Sequence, residues 1–73
     1  MSTHFTYSEK YYDDLYEYRL VTIPNRLRNL IMPGKLLSEK EVEILGVNQS
    51  PGWEHFEIFS KEPHILIFRR PLN

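Results

Sequence analysis

The chain contains no cysteine. Disulfides and thiolate zinc sites are excluded together, and a reducing setting, cytoplasm and nucleus, suits such a chain. Neither charge is in excess: nine Lys and Arg stand against ten Asp and Glu, for a net charge of -1. General nucleic-acid binders carry a basic surplus, so an anion site here has to come from a local cluster. Long apolar runs are also missing. The longest are four residues, Ile44 to Val47 and Ile65 to Phe68, too short to span a membrane. The opening Met1-Ser2-Thr3-His4 has neither the basic start nor the apolar stretch of a secretory leader. No repeat, low-complexity segment or linker divides the chain.

What is present points to one small folded domain over residues 1–73, with residues 1–5 expected to be a flexible N-terminus. A domain of this size buries roughly 60% of its unfolded surface, so its core is thin. Aromatic residues make up 14%, enough apolar bulk to argue against disorder.

Two strands are expected in the first third. Tyr11-Tyr12 leads through a turn at Asp13-Asp14 into a strand over Leu15 to Ile23, rich in aromatic and β-branched residues. Period two places Leu15, Glu17, Arg19, Val21 and Ile23 on one face and Tyr16, Tyr18, Leu20 and Thr22 on the other. Pro24 ends that strand. Asn25 then caps a short helix in which Leu27, Leu30 and Ile31 share a face, and Met32-Pro33-Gly34 stops it. A second short helix carries a capping box, Ser38 with Glu41 three residues on. Leu37 and Val42 occupy hydrophobic-staple positions, and Gly46 suits the left-handed C-terminal residue.

After a loop from Gly46 to Gly52, two further strands, Trp53 to Phe59 and His64 to Arg70, form a hairpin closed by Ser60-Lys61-Glu62-Pro63. If Phe59 faces His64, an unbroken ladder pairs Ile58 with Ile65, Glu57 with Leu66, Phe56 with Ile67, His55 with Phe68, Glu54 with Arg69 and Trp53 with Arg70. Phe56, Ile58, Ile65 and Ile67 then share one face, and His55, Leu66 and Phe68 the other. The expected fold class is α+β, a four-stranded antiparallel sheet with two short helices between the second and third strands. Two short helices can cover only one face of it, so the other face is expected to be an exposed apolar surface that meets a partner.

Five blocks now stand in a telling order: Tyr7-Ser8-Glu9-Lys10-Tyr11, Tyr12-Asp13-Asp14, Glu17-Tyr18-Arg19, Gly46-Val47-Asn48-Gln49-Ser50-Pro51-Gly52-Trp53, and Glu62-Pro63-His64-Ile65-Leu66-Ile67-Phe68-Arg69-Arg70-Pro71. From Tyr7 to Pro71 the chain resembles the Cks family, the regulatory subunits of cyclin-dependent kinases. The resemblance implies a non-enzymatic, cofactor-free adaptor of cell-cycle control with two jobs: docking on the kinase, and holding a phosphothreonine of the kinase's substrates or regulators to promote multisite phosphorylation. Carried over residue by residue, it implies a phosphate pocket of Lys10, Arg19, Ser50, Trp53 and Arg70. It also implies a kinase-binding surface that includes Tyr11, Phe56, Ile58, Phe59, Glu62 and Ile67. The chemistry suits the first set: a phosphothreonine brings about -1.5 to -2 charges and three acceptor oxygens. Two arginines can meet it with forked donors and a lysine with a mobile charge.

Where the family's hinge reads His-x-Pro-Glu-Pro-His, this chain has Phe59-Ser60-Lys61-Glu62-Pro63-His64. In the family this hinge lets the last strand stay or exchange with a second molecule. The hinge of Ser60, Lys61, Glu62 and Pro63 has lost one of two prolines, so a monomer is expected, with the strand-swapped dimer as the alternative. Glu57 stands where the family usually has an apolar contact residue.

Two other readings are weaker. An enzyme would need a nucleophile or a converging acid–base pair, but Asp13-Asp14 are chain neighbours suited to a turn, and His4, His55 and His64 lack metal-ligand spacing. A single-stranded nucleic-acid binder could stack bases on sheet aromatics and track phosphates with arginine, against which the near-neutral charge counts.

Overall fold

The computed structural model describes residues 4–32 and 34–72. Five strands form one antiparallel sheet: β1 (Thr6–Tyr7), β2 (Tyr11–Tyr12), β3 (Tyr16–Thr22), β4 (Glu54–Ile58) and β5 (Ile65–Pro71). The order across the sheet is β1-β3-β5-β4, and β2 also pairs with β3. The expected α+β class with an antiparallel sheet and two short helices holds. The expected strand count does not, because the N-terminal segment contributes two short strands to β3 instead of one. The helices therefore lie between the third and fourth strands. Of the segment expected to be flexible, residues 1–3 lie outside the described residues, and Phe5 packs against the core.

The turn at Asp13 is built by its side chain. Oδ1 accepts hydrogen bonds from the backbone N–H groups of Leu15 (2.9 Å) and Tyr16 (2.8 Å), the local competition that makes Asp a turn residue. The first helix is a 3-10 helix over Asn25–Leu30; Pro24, not Asn25, occupies its cap position, without a side-chain cap bond. Pro is preset for the extended backbone there, and its missing N–H costs a helix start nothing. The second helix, α1 (Glu39–Leu45), shows the full capping box between Ser38 and Glu41, and Gly46 closes it in the left-handed region at φ 108°. Lys35 adds a 2.8 Å ion pair to Glu41 and, with the cap bonds, draws that carboxyl down to about 2.

Both helices lie on one face of the sheet. Between them and the strands sit Val21, Ile23, Val42, Val47, Trp53, Leu66 and Phe68, joined at the margin by Phe5, Leu27, Ile31, Leu37 and Leu45. Within β3 the period-two reading holds, since Glu17, Val21 and, just past the strand, Ile23 are buried while Tyr16, Tyr18, Leu20 and Thr22 are half-exposed; Leu15, expected on the buried face, instead lies in the Asp13 turn before the strand and is 71% exposed. In the β3–β5 ladder Val21 opposes Leu66, Arg19 opposes Phe68, and Glu17 opposes Arg70.

The hairpin register is half as expected. Glu54 opposes Arg69 and His55 opposes Phe68, but the ladder then slips: Glu57 opposes Ile67 and Ile58 opposes Leu66. A β-bulge at Phe56 inserts one extra residue, a feature that an uninterrupted alternation cannot reveal. Past the bulge the β4 residues Glu57 and Ile58 exchange faces, while β5 keeps its expected ones. Ile58 thus moves to the helix side, opposite the buried Leu66 and beside Ile31, Met32 and His55.

Candidate functional site

Three cations converge on one indole. Trp53 is buried, 5% exposed, and the Arg70 guanidinium carbon lies 4.6 Å from its ring centroid, that of Arg19 5.0 Å, and Lys10 Nζ 6.0 Å. Each element supplies its part for a local reason. Arg19 and Arg70 alternate onto the helix-facing side of β3 and β5. Lys10 lies on the short link between β1 and β2, which fold back along β3. Trp53 ends the loop that follows α1. Cations over an aromatic face are held by its quadrupole, so the ring gathers charges that would otherwise repel.

Second partners fix each arginine. The Arg19 guanidinium also lies 5.2 Å from the Tyr7 ring, and one of its terminal nitrogens donates to Gln49 Oε1 at 2.7 Å. Arg70 meets the buried Glu17 at 2.6 Å. Gly52 completes that enclosure. Its φ is +97°, and a Cβ there would stand 3.2 Å from Arg70 Cδ, so any side chain would both strain the backbone and press on the arginine stem. Arg19 Nε and Trp53 Nε1 are buried donors with no protein acceptor. Such groups call for an acceptor, and a tetrahedral oxyanion supplies several. Ser50 shares a cavity wall with Trp53 and Gln49, although Gln49, not Ser50, is the residue of that loop that reaches the cations.

The opposite face of the sheet is aromatic and half-open. The rings of Tyr16 and Tyr18 lie 6.2 Å apart, and those of Tyr18 and Phe56 5.6 Å. Arg69 spans this row, 4.3 Å from Tyr16 and 4.8 Å from Phe56, and its Nε donates to Glu54 at 2.9 Å. The Tyr18 hydroxyl donates to Asp13 Oδ2 at 2.5 Å. That bond lowers the Asp13 carboxyl and raises the tyrosine. Register places Tyr11 beside Tyr18 and Ile67 beside Leu20.

A family model described as cyclin-dependent kinase regulatory subunit matches residues 5–72. The chain belongs to this family. It is 51% identical over 67 residues to cyclin-dependent kinases regulatory subunit 2 of Arabidopsis thaliana, covering 92% of this chain and 81% of that protein. It is 55% identical over 65 residues to a cyclin-dependent kinases regulatory subunit of Dictyostelium discoideum, with 89% and 79% covered. With the Drosophila melanogaster protein of the same description the figures are 48% over 71 residues, 97% and 96%.

Against the residues that the family resemblance implied, the structure brings Lys10, Arg19, Trp53 and Arg70 together and sets Ser50 at the edge. Of the second set, Tyr11, Phe56 and Ile67 share the open face. Ile58 does not, because of the bulge. Phe59 lies with Ile58 and Pro63 around a small cleft at the hinge end, and Glu62 is exposed there, 3.9 Å from His64 Nε2. Sequence reasoning missed Glu17, Gln49 and Tyr7 as members of the cation cluster. Only Glu17 carried a signal: alternation puts it on the same face as Arg19.

Proposed function

We propose that this member of the family is a non-catalytic regulatory subunit that docks on a cyclin-dependent kinase. In this reading it also binds phosphothreonine of that kinase's substrates or regulators, so promoting multisite phosphorylation in cell-cycle control. The carrying observation is the convergence of Lys10, Arg19 and Arg70 on Trp53, with two buried donors left over. A phosphate of charge near -2 answers the cations, and its oxygens answer the donors. Supporting it is the position of the aromatic row of Tyr16, Tyr18 and Phe56 on the other face, where an apolar partner surface can dock without covering the cations. A kinase held on one face and a phosphorylated chain on the other would sit on the same small body, raising the effective concentration of the next site. Base stacking finds less support, because the indole at the cation cluster is buried rather than offered as a platform. Calorimetry with a phosphothreonine peptide and its unphosphorylated twin tests the reading. Saturable binding of the first alone is expected, and equal binding of both defeats it.

A further inference from the structure

The bulge at Phe56 turns a carboxylate out onto the open face of the sheet. Glu57 opposes Ile67, with Phe56 as the extra residue before it. Ile67 in turn opposes Leu20 in β3, and residues directly opposed across antiparallel strands share a face. Glu57, Ile67 and Leu20 thus form one row across β4, β5 and β3. Glu57 is exposed, and its neighbours Phe56, Ile67 and Leu20 are apolar and half-buried. An unbroken ladder would instead have set Glu57 against the buried Leu66.

The other charges of this face are already matched. Asp13 accepts the Tyr18 hydroxyl. Glu54 accepts from Arg69 Nε at 2.9 Å, and the Arg69 guanidinium lies over Tyr16 and Phe56. The groups that act on Arg69 are Glu54, Tyr16 and Tyr18. The adjoining hinge turn adds one exposed charge of each sign, Lys61 and Glu62. Among the described residues Glu57 has no ion-pair partner. Water solvates it in the free protein. A partner laid over the row removes that water, and a desolvated carboxylate without a counter-charge is strongly unfavourable.

We propose that Glu57 is a specificity residue of the kinase-docking face, and that the docked kinase presents a lysine or arginine against it. The inference rests on the docking reading above and deepens it. Lys and Arg have apolar stems and charged ends. The stem suits Leu20 and Ile67, and the end meets Glu57. A kinase that is apolar or acidic at this point strands the carboxylate and is rejected. A second copy of this chain is disfavoured on the same ground, since two-fold symmetry would bring a second unmatched Glu57 to the face.

The test uses the full chain and the recombinant cyclin-dependent kinases of the same organism, measured by calorimetry. Glu57→Gln keeps the shape at an exposed position and removes the charge. It is expected to bind the kinase about three- to thirtyfold more weakly, and Glu57→Lys more weakly still. The gap between wild type and Glu57→Gln is expected to shrink between about 0.1 and 0.5 M salt. Phosphopeptide affinity is expected to be unchanged in both variants. Reversing the kinase's surface Lys and Arg residues one at a time to Glu is expected to find one change that weakens the wild type and restores Glu57→Lys. Equal or tighter binding by Glu57→Gln, with Phe56→Ala still weakening capture, overturns this inference alone. So does a set of kinase reversals none of which restores Glu57→Lys. A dimer of this chain that Phe56→Ala dissolves gives the face to a second copy and overturns it too. If the folded wild-type chain binds none of the kinases, the docking reading falls and takes Glu57's role with it.

Discussion

Glu17 and Arg70 stand directly opposite each other in the β3–β5 ladder and meet at 2.6 Å, with the carboxylate buried. The arginine of the cation cluster is thus also half of a structural ion pair. Replacing it by glutamate sets two carboxylates together in a closed space, and the cost to stability is about 2 kcal/mol or more. Arg70→Lys separates the two roles. Lysine keeps a charge for Glu17 but loses the planar fork and the stacking on Trp53. Phosphopeptide affinity is expected to fall tenfold or more in Arg70→Lys while urea unfolding shifts little. Retained affinity in calorimetry would exclude Arg70 from the phosphate site.

The two faces can be tested apart, with the residues chosen by the bulge. Phe56 and Ile67 are on the open face, so Phe56→Ala or Ile67→Lys is expected to weaken kinase capture and spare phosphopeptide binding. Arg19→Ala should do the reverse. Ile58→Asp is expected instead to destabilise the fold, because it puts a charge among Ile31, His55 and Leu66. Thermal melts and kinase pull-downs on the same preparations decide it. A folded Ile67→Lys protein that loses both activities would rule out separate surfaces.

His55 sets an acid limit on stability. Its Nδ1 accepts the Leu37 N–H at 3.0 Å, its Nε2 is buried without a partner, and burial pushes its pKa below the ordinary 6.5. The unfolded chain takes up a proton as pH falls past 6.5, and the folded chain resists it. Stability from this group is therefore complete above about pH 6.5 and is lost as pH drops toward the lowered folded value. His55→Asn, which keeps an acceptor and cannot charge, should be less stable at pH 7 yet show a flatter decline between pH 7 and 5. An equal decline in both proteins, by urea titration, would clear His55 of this role.

The hinge forms a compact turn. Glu62 N–H donates to the Phe59 carbonyl at 3.1 Å and Ile65 N–H to that of Glu62 at 2.9 Å. Strand exchange needs this segment extended, so both bonds oppose it. The chain is expected to elute as a monomer at micromolar concentration. Lys61→Pro is expected to raise the dimer fraction by restricting the backbone at Ser60 and Lys61. A wild-type dimer in light scattering would show that Pro63 alone suffices.

Much of the fold was legible because its signals are local or periodic, whereas the set of Lys10, Arg19, Ser50, Trp53 and Arg70 came from the family resemblance. The capping box at Ser38 and Glu41, the left-handed Gly46 and the Asp13 turn each follow from side chains acting within a few residues. Alternation along β3 separated Glu17 and Arg19 from Tyr16 and Tyr18. The Glu54–Arg69 and His55–Phe68 pairs followed from counting back along the hairpin. Counting failed at Phe56, since a bulge is set by how a strand twists over its core. It failed again at β1 and β2, where two-residue strands leave almost no pattern to read.

The sequence by itself determined the family, the two helices and the two faces of β3, because propensity, periodicity and motif are properties of neighbours along the chain. Only the tertiary structure decided that Lys10, Arg19 and Arg70 meet on one indole, that Glu17 holds Arg70, that Gln49 rather than Ser50 reaches the cations, and that Ile58 leaves the open face. Those relationships join residues as far apart as Glu17 and Arg70. They arise from which strands pair, in what register, and which side chains the helices bury, and no local pattern carries that information.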